Sequence, residues 1–331
     1  MKAGRREKLC VHFLPLIAAA ISSVDRKIIF YYDKNLVPQC LISKNMVGDF
    51  LDKKNSQKDF RLLVFTDLDG TLLDHESYSF EPALPALAVL KDNNIPLIVC
   101  TSKTRAEIEL IRVQLNNIHP FISENGGAIF IPRNYFLQMP HASREDADYS
   151  IIELGTPYSR LREVFNRIKS ALPGKLRGFG DSIPGEVAEL CGLPLADAKL
   201  AMKRDYDEPF VVEGEMPFDV LQEMASHSQL QVTRGGRFYH LMGNNDKGKA
   251  VHLLRDMYQN QSGHPTTVAL GDSLNDLPML EVVDYPILLK KHDGSYDPSV
   301  TLDNLILSRS SGPSGWSETV LELLPALGVR G

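Results

Sequence analysis

From residue 61 onward, short unbroken apolar runs alternate with segments whose apolar residues recur every three or four positions. Leu62–Thr66 is such a run, as expected of a strand buried on both faces. A helical pattern follows from Pro82 to Asp92, with Pro82 and Pro85 acceptable only in its first turn. Ile95–Cys100 predicts a second buried strand and Thr104–Leu115 a second helix. Phe121-Ile122 and Ala128–Ile131 read as short strands joined by the turn Asn125-Gly126-Gly127. Later come a helix over Lys247–Tyr258, a strand at Thr267–Leu270, a helix starting near Asp276, and strands at Tyr285–Leu289 and Leu305–Leu307. This alternation predicts an α/β fold of right-handed βαβ units on a mostly parallel sheet.

Two stretches break the rhythm. Between about Arg133 and Tyr239 the pattern is α+β and richer in Gly and Pro, which predicts an inserted domain. The expected partition is a core of 61–133 and 240–331 with an α+β cap over 134–239. Residues 1–60 read as an extension of unassigned role. Lys2, Arg5, Arg6 and Lys8 precede an apolar run from Leu9 to Ile21, the grammar of a secretory signal. His12 and Pro15 interrupt that run, and a cytoplasmic protein is the expectation. Ile28–Ile42 is β-like, Met46 is a candidate internal start, and Asp52–Asp59 reads as a linker. Composition narrows the class further. Lys and Arg total 36 against 42 Asp and Glu, for a net charge of −6, so a nucleic-acid partner is not expected. No apolar run reaches the length of a membrane span. The 4 cysteines lie far apart, without a metal-binding or disulfide spacing.

Four short motifs carry candidate chemistry, all placed by this reading at the carboxyl ends of parallel strands, where open α/β sheets bind ligands. Asp67-Leu-Asp69-Gly-Thr71 follows the first strand. Two carboxylates at i and i+2 can share one site if the chain turns at Gly70; one can attack an electrophile, the other can move a proton, and together they suit a hard cation. Thr101-Ser-Lys103 follows the second strand, and its hydroxyl can either bond a phosphoryl oxygen or cap the next helix. Asp246-Lys247-Gly-Lys249-Ala250 opens a helix, where Lys247 is either a point charge for an anion or a solvated helix start. Gly271-Asp272-Ser-Leu-Asn275-Asp276 gathers three oxygen-bearing side chains at a strand–helix junction, a set suited to an octahedral cation.

In this order and context the four motifs resemble the haloacid dehalogenase superfamily of phosphatases. The resemblance implies a Rossmann-like mostly parallel core with an inserted C2-type α+β cap. It implies Asp67 as nucleophile, Asp69 as general acid and base, and Thr101 and Lys247 as holders of the phosphoryl group. It further implies Mg2+ held by Asp67, Asp272 and the Asp69 backbone carbonyl, with Asn275 and Asp276 supporting that shell or orienting Lys247. Further segments resemble one branch, the mannosyl-3-phosphoglycerate phosphatases: Thr101-Ser-Lys-Thr-Arg105, Ser123-Glu-Asn-Gly-Gly127, Gly178-Phe-Gly-Asp181, Arg204-Asp-Tyr-Asp-Glu208, Arg234-Gly-Gly-Arg237-Phe-Tyr-His240 and Gly312-Pro-Ser-Gly-Trp316. The implied partner is a small phosphorylated sugar-glycerate, hydrolysed to mannosylglycerate and phosphate. A glucosyl-phosphoglycerate or sucrose phosphate substrate, a sugar phosphomutase and a non-catalytic sensor are the alternatives. In the cap, Arg204, Arg234 and Arg237 can clamp a carboxylate, while Asp205, Asp207 and Glu208 can accept from sugar hydroxyls. The bland reading pairs Arg204 with Glu208 along a helix and makes His240 a core histidine.

Overall fold

The computed structural model describes residues 60–139, 144–172, 175–214, 216–235 and 238–329. The signal-like run, the β-like stretch, the linker and Arg237 lie outside the described residues. The chain runs through β1 (Leu62–Thr66), α1 (Leu84–Asp92), β2 (Leu97–Cys100), α2 (Arg105–Leu115), β3 (Phe121–Ser123), β4 (Ala128–Pro132), β5 (Arg144–Glu145) and β6 (Tyr149–Glu153). Then come α3 (Tyr158–Ala171), β7 (Leu176–Gly178), α4 (Pro184–Cys191), α5 (Leu195–Ala201), β8 (Asp207–Val212), α6 (Phe218–Ser226), β9 (Gln231–Gly235) and β10 (Phe238–Met242). It closes with α7 (Lys247–Ser262), β11 (Thr266–Gly271), α8 (Leu277–Leu280), β12 (Tyr285–Lys290), β13 (Ile306–Ser311) and α9 (Gly312–Leu323).

The larger sheet has nine strands in the order β13-β12-β11-β1-β2-β3-β4-β6-β5. The first six are parallel, and β4, β6 and β5 add antiparallel pairs at one edge. Both faces are covered, so the continuous apolar runs are accounted for. Leu62 and Val64 pack with Leu90, Trp316 and Val320 on one face, and Leu63 and Phe65 pack with Val251, Leu254 and Tyr258 on the other. Pro82 sits in a 3-10 turn, Glu81–Ala83, and Pro85 in the first turn of α1, where no amide donor is needed. Thr104 caps α2 and forms a reciprocal capping box with Glu107.

The smaller sheet is wholly antiparallel, in the order β7-β8-β10-β9. Leu161, Val164 and Phe165 of α3 and Leu221 of α6 pack under it with Phe210 and Leu241. The boundary expected at residue 133 falls too early. Residues 144–153 belong to the large sheet, because Tyr149–Glu153 pairs along the whole of β4. The boundary expected at 240 also cuts a strand, since β10 pairs with β8 and β9 as far as Met242. The third motif therefore does not follow a parallel strand as expected. It follows β10 of the small sheet and reaches the large sheet's edge only as the amino end of α7.

Candidate active site

Three segments bring the site together. Asp67 leaves β1, Asp272 leaves the neighbouring parallel strand β11, and Lys247 opens α7. Asp246 caps that helix by accepting from the Lys249 amide at 2.8 Å, which fixes where Lys247 starts. The Lys247 ammonium is fully buried and donates to Asp67 Oδ1 at 2.8 Å and to Asp276 Oδ1 at 2.6 Å. Asp276 is in turn fixed by the Asp272 and Ser273 amides, which donate to its Oδ2 at 3.0 and 3.2 Å. Removing Lys247 would strand two buried carboxylates, a change that costs about 3–5 kcal/mol when a buried pair is broken.

Burial pushes the Asp67 carboxyl up to about 6, with the ammonium of Lys247 pulling against it and Asp276 and Asp69 adding repulsion. Burial and the negative neighbours Asp276 and Asp67 raise Asp272 well above the ordinary carboxylate range. Asp67, Asp272 and Asp276 place carboxylate oxygens within 4.8 Å of one another. Such crowding of acids is the environment a hard divalent cation relieves. Both oxygens of Asp276 already bond to protein, so Asp67 and Asp272 are the residues that fit as direct ligands. Gly70 opens the room between them: its φ is +75°, and a Cβ there would lie 2.8 Å from Asp272 Oδ2.

Around this centre the expected residues are placed unevenly. Thr101 is buried at the end of β2, and its hydroxyl accepts weakly from the Lys103 amide at 3.4 Å. Asp69 gives one oxygen to the Lys103 ammonium at 2.8 Å, while its Oδ1 is buried without a hydrogen bond. Asn275 spends its amide on Asn125 Oδ1 at 3.2 Å and its oxygen on the Ser273 hydroxyl at 2.7 Å, so it braces the loop. Lys249 points elsewhere, toward Asn244.

The inserted residues depart further from expectation. Arg204 is buried and donates to the backbone carbonyls of Ala201 and Ser102, both at 2.7 Å, with Asp207 3.7 Å away. It is neither an open carboxylate clamp nor the partner of Glu208. Asp207 and Glu208 begin a strand, so no helical i, i+4 pair forms. Glu208 is buried against Arg162 at 2.5 Å, the Gly180 amide and the Tyr158 hydroxyl. Asp181 bridges Arg162 and Lys169. His240 is buried and shares Asp207 Oδ2 at 2.7 Å, a satisfied histidine. Arg234 is exposed, stacked over the Tyr239 ring beside an open groove of about 690 Å³ lined by Val211, Met216 and Pro217.

Two features escaped the assignment of roles. Lys103 lies within the second motif, yet its partner Asp69 stands on another strand end. The turn Ser123–Gly127 is a joint. Glu124 accepts from the Asp205 and Tyr206 amides, Asn125 donates to Asp207, and Asn245 donates to the Asn125 carbonyl. Glu124 and Asn125 both hold positive φ, 47° and 54°, a conformation bulky L residues adopt only where surroundings enforce it. Burial lifts the Glu124 carboxyl to about 8 despite Arg204 nearby.

A family model described as haloacid dehalogenase-like hydrolase matches residues 64–157 and 215–293. A glucosyl-3-phosphoglycerate/mannosyl-3-phosphoglycerate phosphatase of Methanococcoides burtonii is 48% identical over 263 residues, covering 79% of this chain and 97% of that protein. A mannosyl-3-phosphoglycerate phosphatase of Pyrococcus horikoshii is 38% identical over 245 residues, covering 73% of this chain and 97% of that one. Among solved structures, a phosphatase of the haloalkanoate superfamily from Bacteroides thetaiotaomicron superposes with a TM-score of 0.57 at 16% identity, covering 90% and 100% of the two chains. The sucrose-phosphatase of Synechocystis gives 0.53 at 13% identity, covering 82% of this chain and 100% of that one. At such identities the structural matches speak for the fold.

Proposed function

The chain belongs to the haloacid dehalogenase-like hydrolase family and is a phosphatase; we propose that its substrate is a 3-phosphoglycerate bearing a mannosyl or glucosyl group. The observation that carries the reading of the site is the Asp67–Lys247 pair, formed between the end of β1 and the start of α7, with Asp69 two residues on. Lys247 takes one oxygen of Asp67 and leaves the other for in-line attack on phosphorus. Asp69 protonates the leaving alkoxide and then activates water to hydrolyse the aspartyl phosphate. Thr101 and Lys247 hold the phosphoryl oxygens. Asp67 and Asp272, with the Asp69 backbone carbonyl, are the groups that would hold Mg2+, and Asp276 would orient Lys247 beside them. When bound, the cation supplies charge neutralisation between an anionic nucleophile and an anionic substrate.

The small sheet with its helices serves in this reading as the cap. The Gly235 end of β9 lies against the Asn275 side chain, which brings the insertion down onto the fourth motif. Names of the Methanococcoides and Pyrococcus relatives support the sugar-phosphoglycerate class. Cys100 and Cys191 are buried, and no described helix is long and apolar enough to cross a membrane. The test is phosphate release from a panel of sugar phosphates with and without Mg2+. Mannosyl- and glucosyl-3-phosphoglycerate should lead the panel by kcat/KM; a preference for sucrose phosphate or a hexose phosphate would overturn the substrate class.

A further inference from the structure

A glycosyl-phosphoglycerate carries a carboxylate as well as a phosphate, and two arginines of the insertion are already engaged elsewhere. Arg204 is spent on backbone carbonyls, and Arg162 is held between Glu208 and Asp181. Among the described residues two cations touch the carboxylates of the first motif. Lys247 is enclosed by Asp67 and Asp276, which leaves Lys103.

Lys103 is unusual in its setting. Its side chain is 10% exposed, yet the Asp69 carboxylate it holds at 2.8 Å is 40% exposed, so the pair forms one wall of the site's opening. Glu107 lies 3.7 Å behind the ammonium, and the Tyr78 ring covers it at 5.3 Å. Tyr78 reaches that position with φ at +55°, a rare conformation for an aromatic residue and one the loop maintains. The corner is thus built around a cation, and its one partner facing the opening is Asp69. While Lys103 holds Oδ2, only the buried Oδ1 of Asp69 is left for a leaving oxygen.

We propose that Lys103 is the specificity-determining residue that reads the substrate's carboxylate, which replaces Asp69 on the ammonium and so releases Asp69 toward the leaving oxygen. The inference rests on the phosphoglycerate reading above. One carboxylate takes the place of another, so the buried ammonium is never left unpaired. The spacing agrees. In a 3-phosphoglycerate the carboxylate carbon is three bonds from the ester oxygen, roughly 4 Å away with C–C bonds of about 1.5 Å. That span matches an Asp69 at the ester oxygen and a Lys103 one contact further out. A phosphate ester lacking the carboxylate would have to break the Asp69–Lys103 pair with nothing to put in its place.

The experiment compares glucosyl-3-phosphoglycerate with its reduced analogue, in which a primary alcohol replaces the carboxylate, on the full chain with Mg2+ present. The wild type should prefer the carboxylate form by about tenfold to a hundredfold in kcat/KM, the size expected for a charge-assisted contact. Lys103→Met should bring that ratio close to one, and Lys103→Arg should restore most of it. Lys103→Gln, which keeps a donor for Asp69 without the charge, should also lose the ratio, and it serves if the Met variant does not fold. A wild-type ratio near one, or variants that lose rate on both substrates while keeping the ratio, would overturn the role of Lys103. Failure of the wild type on every phosphoglycerate while it turns over another sugar phosphate would instead sink the underlying substrate reading, and this proposal with it.

Discussion

The Asp67–Lys247–Asp276 cluster of the core and the Arg162–Glu208–Asp181 cluster of the insertion use the same kinds of side chain at similar distances, yet they are finished differently. In the insertion's cluster both carboxylates have their oxygens taken: Glu208 by Arg162, Tyr158 and the Gly180 amide, Asp181 by Arg162, Lys169 and the Gly178 amide. In the core one oxygen of Asp67 is bonded to Lys247 and Asp69 Oδ1 has no hydrogen bond among the described residues. A saturated network specifies a packing arrangement, whereas an incomplete one with a buried cation beside it is prepared for another anion. Charge alone does not tell the two apart; the count of satisfied oxygens does.

The largest effect that can break this contrast is at Asp67, the proposed nucleophile. Asp67→Asn should lower kcat by at least about a thousandfold while circular dichroism shows an intact fold. Rapid-quench labelling should tag Asp67 in the wild type and nothing in the variant; a variant keeping a tenth of the activity would remove the covalent mechanism. Next in size is the acid pair at the strand ends. Asp272→Ala should need far more Mg2+ than the wild type or lose activity, and chelation followed by Mg2+ should silence and restore the wild type. Undiminished turnover after exhaustive chelation would show that the crowded acids serve another purpose.

A smaller and more even loss is expected in the insertion. Arg204→Ala leaves the Ser102 and Ala201 carbonyls without their buried donor, worth about 1–3 kcal/mol of stability by the usual cost of an unsatisfied group. It should lower Tm and reduce turnover of glucosyl-3-phosphoglycerate and p-nitrophenyl phosphate by similar factors. A loss confined to the phosphoglycerate would return Arg204 to substrate contact.

The smallest effect concerns Glu124. Its carboxyl is raised from 4.5 to about 8 by burial, so the folded chain keeps a proton that the unfolded chain releases. The stabilisation is complete below the ordinary value, fades as pH rises, and is gone above the folded value. Glu124→Gln, which cannot titrate, should flatten the fall in Tm between about pH 5 and pH 8.5. A slope identical to the wild type would mean that the carboxyl ionises normally in the fold.

What could be read from the sequence was local. Asp67, Asp69 and Asp272 follow buried strands, and strand ends in a parallel sheet meet at one edge, so their spacing along the chain implied proximity in space. Lys247 was legible as a helix start although the strand before it was misplaced, because the Asp246 cap needs only its own turn. Arg204 and Glu208 were not legible. Their partners, Ser102 and Arg162, lie 102 and 46 residues away, and no period or motif encodes those pairings. Lys103 was visible within its motif, but its meaning depends on Asp69 across the sheet. The early boundary at 133 has a similar cause: the antiparallel edge strands are short and their apolar alternation resembles that of the insertion that follows.

The Ser123–Gly127 turn limits how the molecule could be rebuilt. A Cβ at Gly126 would lie 2.0 Å from the Asp246 carbonyl, and Glu124 grips the Asp205 and Tyr206 amides. The segment from Arg204 to Asp207 therefore behaves as part of the catalytic unit, although it arrives from inside the insertion. A chimera that exchanges the whole stretch between β6 and α7 would remove those backbone donors and empty the pocket that holds Glu124. A transplant that replaces α3 to α5 as one piece and β9 with its hairpin as another, leaving residues 204–208 in place, would keep the seam intact. The natural unit of exchange in this chain is thus discontinuous, with its joint inside the segment that the sequence presents as a single block.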